Sequence, residues 1–191
     1  MSMKSTSIKE FLKRKNVNIT VQTYLIDALG AMAFGLFASL LIGTIFGTLG
    51  QQFGIEIFNV IADYAKSATG AALGIAIAHA LKAPQLVLFS AATVGIAGNA
   101  LGGPGGALVA TIVAAELGKI VSKETRLDII VTPGITIISG VLVAQFVGPG
   151  VAGFMNWFGN LVKTATEMQP FIMGILVSAL IGIALTLPIS S

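Results

Sequence analysis

The sequence predicts an all-α, polytopic membrane bundle with internal repeats and one glycine-rich segment, broken or re-entrant. Three observations carry this. The runs Ile129 to Val162 and Ala83 to Ala115 contain no formal charge. Charged residues are only 10% of the chain against 55% hydrophobic ones, and mean hydropathy is +0.93. Small residues recur at every fourth position within the apolar runs. Runs that can cross a hydrocarbon layer of roughly 30 Å, separated by short charged clumps, leave no soluble shell to surround them. A net charge of +3 would suggest nucleic acid in a soluble protein. Here the cations gather at the N-terminus and around residues 119–126, the pattern of cytoplasmic loops, so lipid and not nucleic acid is the expected surrounding. The absence of cysteine rules out disulfides, thiolate metal sites and a cysteine nucleophile. No apolar stretch follows closely on the first basic residues, so a cleavable signal peptide is not expected. The prediction is a multi-pass protein of a cytoplasmic (inner) membrane with its N-terminus inside.

Residues 1–24 read as a cytoplasmic basic segment. Ser7 and Glu10 have capping-box spacing, with Phe11 and Leu12 following and Lys9, Lys13, Arg14 and Lys15 around them. Such a segment either lies on anionic headgroups or is a basic tail that only sets topology. A first spanning helix is expected from Ala28 to Leu49, headed by Asp27 as its cap. Its stripe of Ala31, Gly35, Ser39, Gly43 and Gly47 admits a close neighbour. An interfacial stretch follows from Phe53 to Lys66, with Ile57, Phe58 and Ile61 on one face. A second apolar segment starts near Thr69, carries Gly70, Gly74 and Ala78, and breaks at Pro84. Gln85 to Ala97 is then a separate short segment.

The pattern repeats about one hundred residues on. Asp128 heads a helix through Gly148 whose Gly140, Ala144 and Gly148 match Ser39, Gly43 and Gly47. Phe154 to Met168, with Trp157 and Phe158, repeats the interfacial stretch. Gly174, Ser178, Gly182 and Pro188 match Gly70, Gly74, Ala78 and Pro84. We read residues 25–127 as a first membrane repeat and 128–191 as a second, incomplete one, a common way to build transporters. Charge favours four crossings before Asp128 and a parallel repeat; one kinked helix from Ala68 to Ala97 would make the repeats inverted. The second repeat lacks a counterpart of Gln85 to Val121, so a longer native chain or an oligomer is expected to supply that surface.

Candidate functional residues centre on Gly98-Asn99-Ala100-Leu101-Gly102-Gly103-Pro104-Gly105-Gly106. Five glycines and a proline in nine residues are expected to break the helix, leaving free backbone donors and acceptors. Gly102, Gly103 and Gly105 would then line a solute cavity, with Asn99 offering its amide; the alternative is a plain surface turn. Gln85, just after the break at Pro84, is a further candidate. Glu116 and His79 are ionisable groups in apolar runs, where desolvation makes charge expensive and function the default reading. Glu116 is otherwise neutralised by Lys119 one turn on, and His79 sits beside Lys82. No nucleophile–base set, paired carboxylates or metal-ligand cluster is present in the sequence, so neither enzyme chemistry nor a cofactor is expected.

The run from Tyr24 to Ile45, the stretch Ala91 to Gly106 and the segment Thr132-Pro-Gly-Ile-Thr-Ile-Ile-Ser-Gly resemble the EIIC-like membrane subunits of the sugar phosphotransferase system, in the branch that includes a perfringolysin regulator. The resemblance spans nearly the whole chain. It implies a bacterial inner-membrane permease component that moves a small polar, sugar-like solute, forms a homodimer and works with a cytosolic EIIB-type protein. The chain departs from sugar EIIC proteins in having no recognisable Glu/His substrate loop. A membrane-embedded sensor or regulator that binds a ligand without moving it is the other reading.

Overall fold

The computed structural model describes residues 10–17, 20–166, 174 and 178. Ser7 of the expected capping box, and Gly182 and Pro188 of the expected repeat, lie outside them. Five helical elements follow a single turn of helix at residues 10–14: α1 (Gln22–Phe53), α2 (Glu56–Ser67), α3 (Thr69–Ala80), α4 (Gln85–Val121) and α5 (Asp128–Thr166). By length and apolarity alone α1, α4 and α5 each suffice to cross a membrane, although α4 folds back on itself.

α1 begins earlier than expected and runs further. Asp27 makes no side-chain capping bond, because it sits inside a continuous helix whose opening turns are π-helical. At 32 residues the helix is about 48 Å long. It ends where Gly54 takes a left-handed conformation (φ 67°) and returns its N–H to the Gly50 carbonyl. The chain then reverses. Gly50 lies against Asn59, Gly43 against Ala62 and Ala65, and Gly35 against Ala72, so α2 and α3 run back along α1 in one continuous register. α2 is therefore packed on α1 through Asn59 and Ala62. Of the expected face, Phe58 meets Phe46 edge to face at 5.4 Å, while Ile57 and Ile61 point outward.

Small residues predominate in the interior, beside Leu73, Ile77, Val87 and Val94, and large apolar ones cover the outside. Ala28, Ala78, Ala91, Ala107, Ala110, Ala114 and Ala115 are fully buried, whereas Phe146 is 80% exposed and Phe34 is 70% exposed. In water this arrangement would be inside out. In lipid it is the expected one, since apolar side chains gain nothing by leaving the acyl chains and close backbone approach supplies the packing.

After α3 the chain turns at 81–84, where Lys82 adopts φ 54° and Pro84 precedes α4. Gly74 packs on Ala91 and Gly70 on Ile96, so α4 leaves antiparallel to α3. Ala68 to Ala97 is thus not one kinked helix. The expected short segment Gln85–Ala97 does not end at Ala97 either. Helical backbone continues through the glycines to Gly102 and resumes at Pro104, with only Gly103 non-helical (φ 62°, ψ −162°). Glycine tolerates a helix at a modest cost, and proline is compatible with a first helical turn. The chain folds back there: Gly98 faces Ala107, and Val87 touches Gly118. α4 is accordingly a hairpin of two arms, 85–102 and 104–121, each about 27 Å long.

α5 fills the groove between these arms. Gly118 meets Thr136, Gly140 meets Val94 and Ala114, and Gly102 meets Gly148. The helix passes Phe154 without the turn that the repeat would place there, as no residue of α5 has a positive φ to match Gly54. Asp128 does not cap the first turn in the usual way. Its Oδ1 accepts from the Lys123 N–H (2.7 Å) and the Thr132 hydroxyl (2.5 Å), tying the preceding loop to the helix.

Candidate functional site

The glycine-rich apex of α4 ends part-way along the bundle. Leu29 and Met32 of α1 share a cavity with it, yet α1 continues to Phe53, roughly 30 Å beyond Met32. α5 likewise continues past Gly148, the residue opposite Gly102, to Thr166. The cavity has a volume of about 480 Å³ and is lined by Gly102, Gly103, Pro104 and Gly105 together with side chains from α1, α4 and α5. Those side chains are apolar (Leu29, Met32, Leu108, Met155) apart from Asn156. Polar character at the apex comes from backbone: an arm that stops at Gly102 leaves its last carbonyls without the next turn's donors. A Cβ at Gly103 would meet nothing within 4 Å, so its dihedrals and not its space demand glycine. A Cβ at Gly102 would press on the Gly148 backbone at 2.9 Å.

The structure brings Gly102, Gly103 and Gly105 together and separates the other candidates from them. Asn99 is half-buried on the first arm and is not among the residues lining the cavity. His79 is exposed and borders a second, apolar cavity of about 430 Å³ between α1 and α3. Gln85 is exposed at the start of α4. No local pattern marks Met32, Leu108, Met155 and Asn156 as cavity residues, because they come from three separate helices.

Glu116 belongs to a different centre, at the end of the bundle where both hairpin arms terminate. Lys119 is the largest fully buried side chain there, 1% exposed. Its Nζ donates to Glu116 Oε1 at 2.8 Å, to the Asn16 carbonyl at 2.9 Å and to the Leu81 carbonyl at 3.1 Å. One ammonium thus spends its donors on α4, the N-terminal segment and the 81–84 turn. Tyr24 lies beside Glu116 and interacts with its carboxylate, whose second oxygen, Oε2, is buried without a well-formed hydrogen bond. Beside this centre Lys15 Nζ donates to the Ser122 carbonyl and to Glu124 Oε1, each at 2.5 Å. The Lys15 ammonium holds the Glu124 carboxyl below the ordinary glutamate range, with Arg14 adding to the effect. The N-terminal segment and the 122–126 loop therefore share one end of the bundle.

A profile for the family described as "Phosphotransferase system, EIIC" matches residues 26–191. The chain belongs to the phosphotransferase-system EIIC family. No curated protein and no solved structure gives a significant match. EIIC membership makes the chain a membrane permease component of that system, and the apolar helices make it a multi-pass membrane protein. The EIIC match begins at residue 26, inside α1, and takes in the whole apex cavity, whereas Asn16 and Tyr24 of the Lys119 centre precede it.

Proposed function

We propose that the apex of α4 is the solute site of this EIIC-type permease component, and that the solute is small, polar and sugar-like. The observation that carries the reading is the cavity at Gly102, Gly103 and Gly105, enclosed by helices that run on beyond it. Its volume lies within the range of small-molecule sites, which are mostly apolar with a few placed polar groups. A sugar suits such a lining: its C–H faces rest on Met32, Leu108 and Met155, and its hydroxyls find Asn156 and the apex backbone. In the membrane the hairpin is re-entrant, its non-helical residue half-buried beside the cavity that α1, α4 and α5 line. The duplication of residues 25–127 in 128–191 belongs to the same reading, with α1 and α5 as corresponding helices that each flank the apex.

Uptake of labelled sugars by the full chain in liposomes tests this. Gly105→Leu, which would project between Val151 and Met155, should reduce uptake at least about tenfold without loss of folded protein, whereas Gly30→Leu, facing open space, should leave it unchanged. Equal uptake in both variants would remove the site from the apex. Saturable sugar binding with no uptake by the unaltered chain would favour the sensor reading.

The end bearing Lys15, Lys119 and Lys123 is assigned to the cytoplasmic side of a bacterial inner membrane, because cationic clusters resist translocation. A cysteine at exposed Thr125 should resist impermeant thiol reagents in intact cells, while one at Gln52, beside the Gly54 turn, should react. The opposite labelling pattern would invert the molecule.

A further inference from the structure

At the cationic end, the N-terminal segment, the 81–84 turn and the 122–127 loop enclose a cleft of about 520 Å³. Arg14, Lys15, Lys82, Lys119 and Lys123 line it against one lining carboxylate, Glu124. Lys119 and Lys15 are occupied by the contacts described above, and they hold the walls of the cleft together. The other three cations are not. Arg14 is 70% exposed and stands 3.9 Å from Glu124, beyond direct hydrogen bonding. The Lys82 ammonium makes no hydrogen bond or ion pair among the described residues, the residue's backbone N–H alone being engaged, by the His79 carbonyl. Lys123 engages Asp128 through its backbone N–H, and its ammonium acts on that carboxylate only through space. Even with Glu116 and Asp128 counted behind the lining, positive charge is in excess. Lys82 and Lys123 both occupy the left-handed region (φ 54° and 62°), which side chains other than glycine and asparagine adopt at a cost.

Three unsaturated cations converging on an open, roomy cleft match one ligand chemistry, a phosphate oxyanion that accepts several charge-assisted hydrogen bonds. The cleft also sits where apolar helices end. Phe11 lies beneath both Arg14 and Lys15, its ring centroid 5.4 Å and 5.6 Å from them, on the face a lipid headgroup layer would meet. We propose that this cleft binds a phosphate group, the chemistry shared by an anionic phospholipid headgroup and a soluble phosphate ester. It is separate from the apex cavity, with which it shares no lining residue, so its occupancy is independent of the solute reading.

The test uses the full chain in neutral detergent, titrated with short-chain phosphatidylglycerol, short-chain phosphatidylcholine and inorganic phosphate, with thermal midpoint and native mass as readouts. Phosphatidylglycerol or inorganic phosphate should raise the midpoint saturably, and added salt should weaken the effect. The Arg14→Gln/Lys82→Gln/Lys123→Gln variant keeps Lys15 and Lys119, so its ligand-free midpoint should stay near that of the unaltered chain while affinity falls at least about tenfold. Binding of the lipid alone identifies a headgroup as the source; displacement of the lipid by inorganic phosphate identifies a soluble ester. Phosphatidylcholine binding as tightly as phosphatidylglycerol, unchanged affinity in the triple variant, or no saturable binding by any of the three would overturn the proposal.

Discussion

Lys119→Met should destabilise the fold by about 3–5 kcal/mol, the cost of leaving a buried charge without its partner. The substitution strands Glu116, whose Oε2 already lacks a well-formed hydrogen bond, and removes the donor to the Asn16 and Leu81 carbonyls. Glu116→Gln should cost less, because the amide oxygen and the Asn16 and Leu81 carbonyls still accept from Lys119, even though the buried ammonium loses its counter-charge. The double variant Lys119→Met/Glu116→Met should recover part of the loss, and the cycle isolates the coupling between the two residues. Denaturant unfolding in mixed micelles reads all three. A Lys119→Met protein as stable as the original would mean that water, and not Lys119, satisfies this end of the bundle. Limited proteolysis provides a second readout: the N-terminal segment, held to α4 through Asn16 and Lys119, should become cleavable in Lys119→Met.

Gly74→Ala should be the next most damaging single change, at about 1–3 kcal/mol, with Gly74→Leu failing to fold. A Cβ there would fall inside contact distance of the Ala91 carbonyl oxygen and 3.0 Å from the Gly95 Cα. These are backbone atoms of the facing arm, which cannot rotate away as a side chain would. Gly134→Ala in α5 is the informative comparison. It meets nothing within 4 Å, so it should be neutral or stabilising by up to about 1 kcal/mol through helix propensity alone. The two alanine substitutions should thus differ in sign. Equal effects would show that α3 and the first arm of α4 are not packed backbone to backbone.

The helices were readable because uncharged length and proline punctuation are local properties. The break at Pro84 follows from residues within a turn or two of it, whereas the stretch from Phe53 to Lys66, expected at the interface, folds back along α1 from the Gly54 turn. The glycine-rich stretch was readable only in part, since glycine serves two purposes that look alike in sequence. Gly103 supplies a dihedral pair that other residues avoid, while Gly98, Gly102 and Gly106 supply room for a neighbouring backbone. The neighbour of Gly102 is Gly148, far along the chain, and no short-range pattern announces it. The same distance hid the meeting of Lys15 with Glu124 and of Lys119 with Asn16. The ion pair of Glu116 with Lys119, one turn apart, was legible for the opposite reason.

The hairpin's dependence on α5 also fixes an order of events during synthesis. Gly148 is made about 46 residues after Gly102, and at about 5–20 residues per second that is a wait of roughly 2–9 s. For that interval the arms have each other, through Gly98 and Ala107, but the groove between them is unfilled. A hairpin that turns at Gly103 within that interval would do so before its groove is filled. α5 is the bolt of that groove, made only after both arms that receive it.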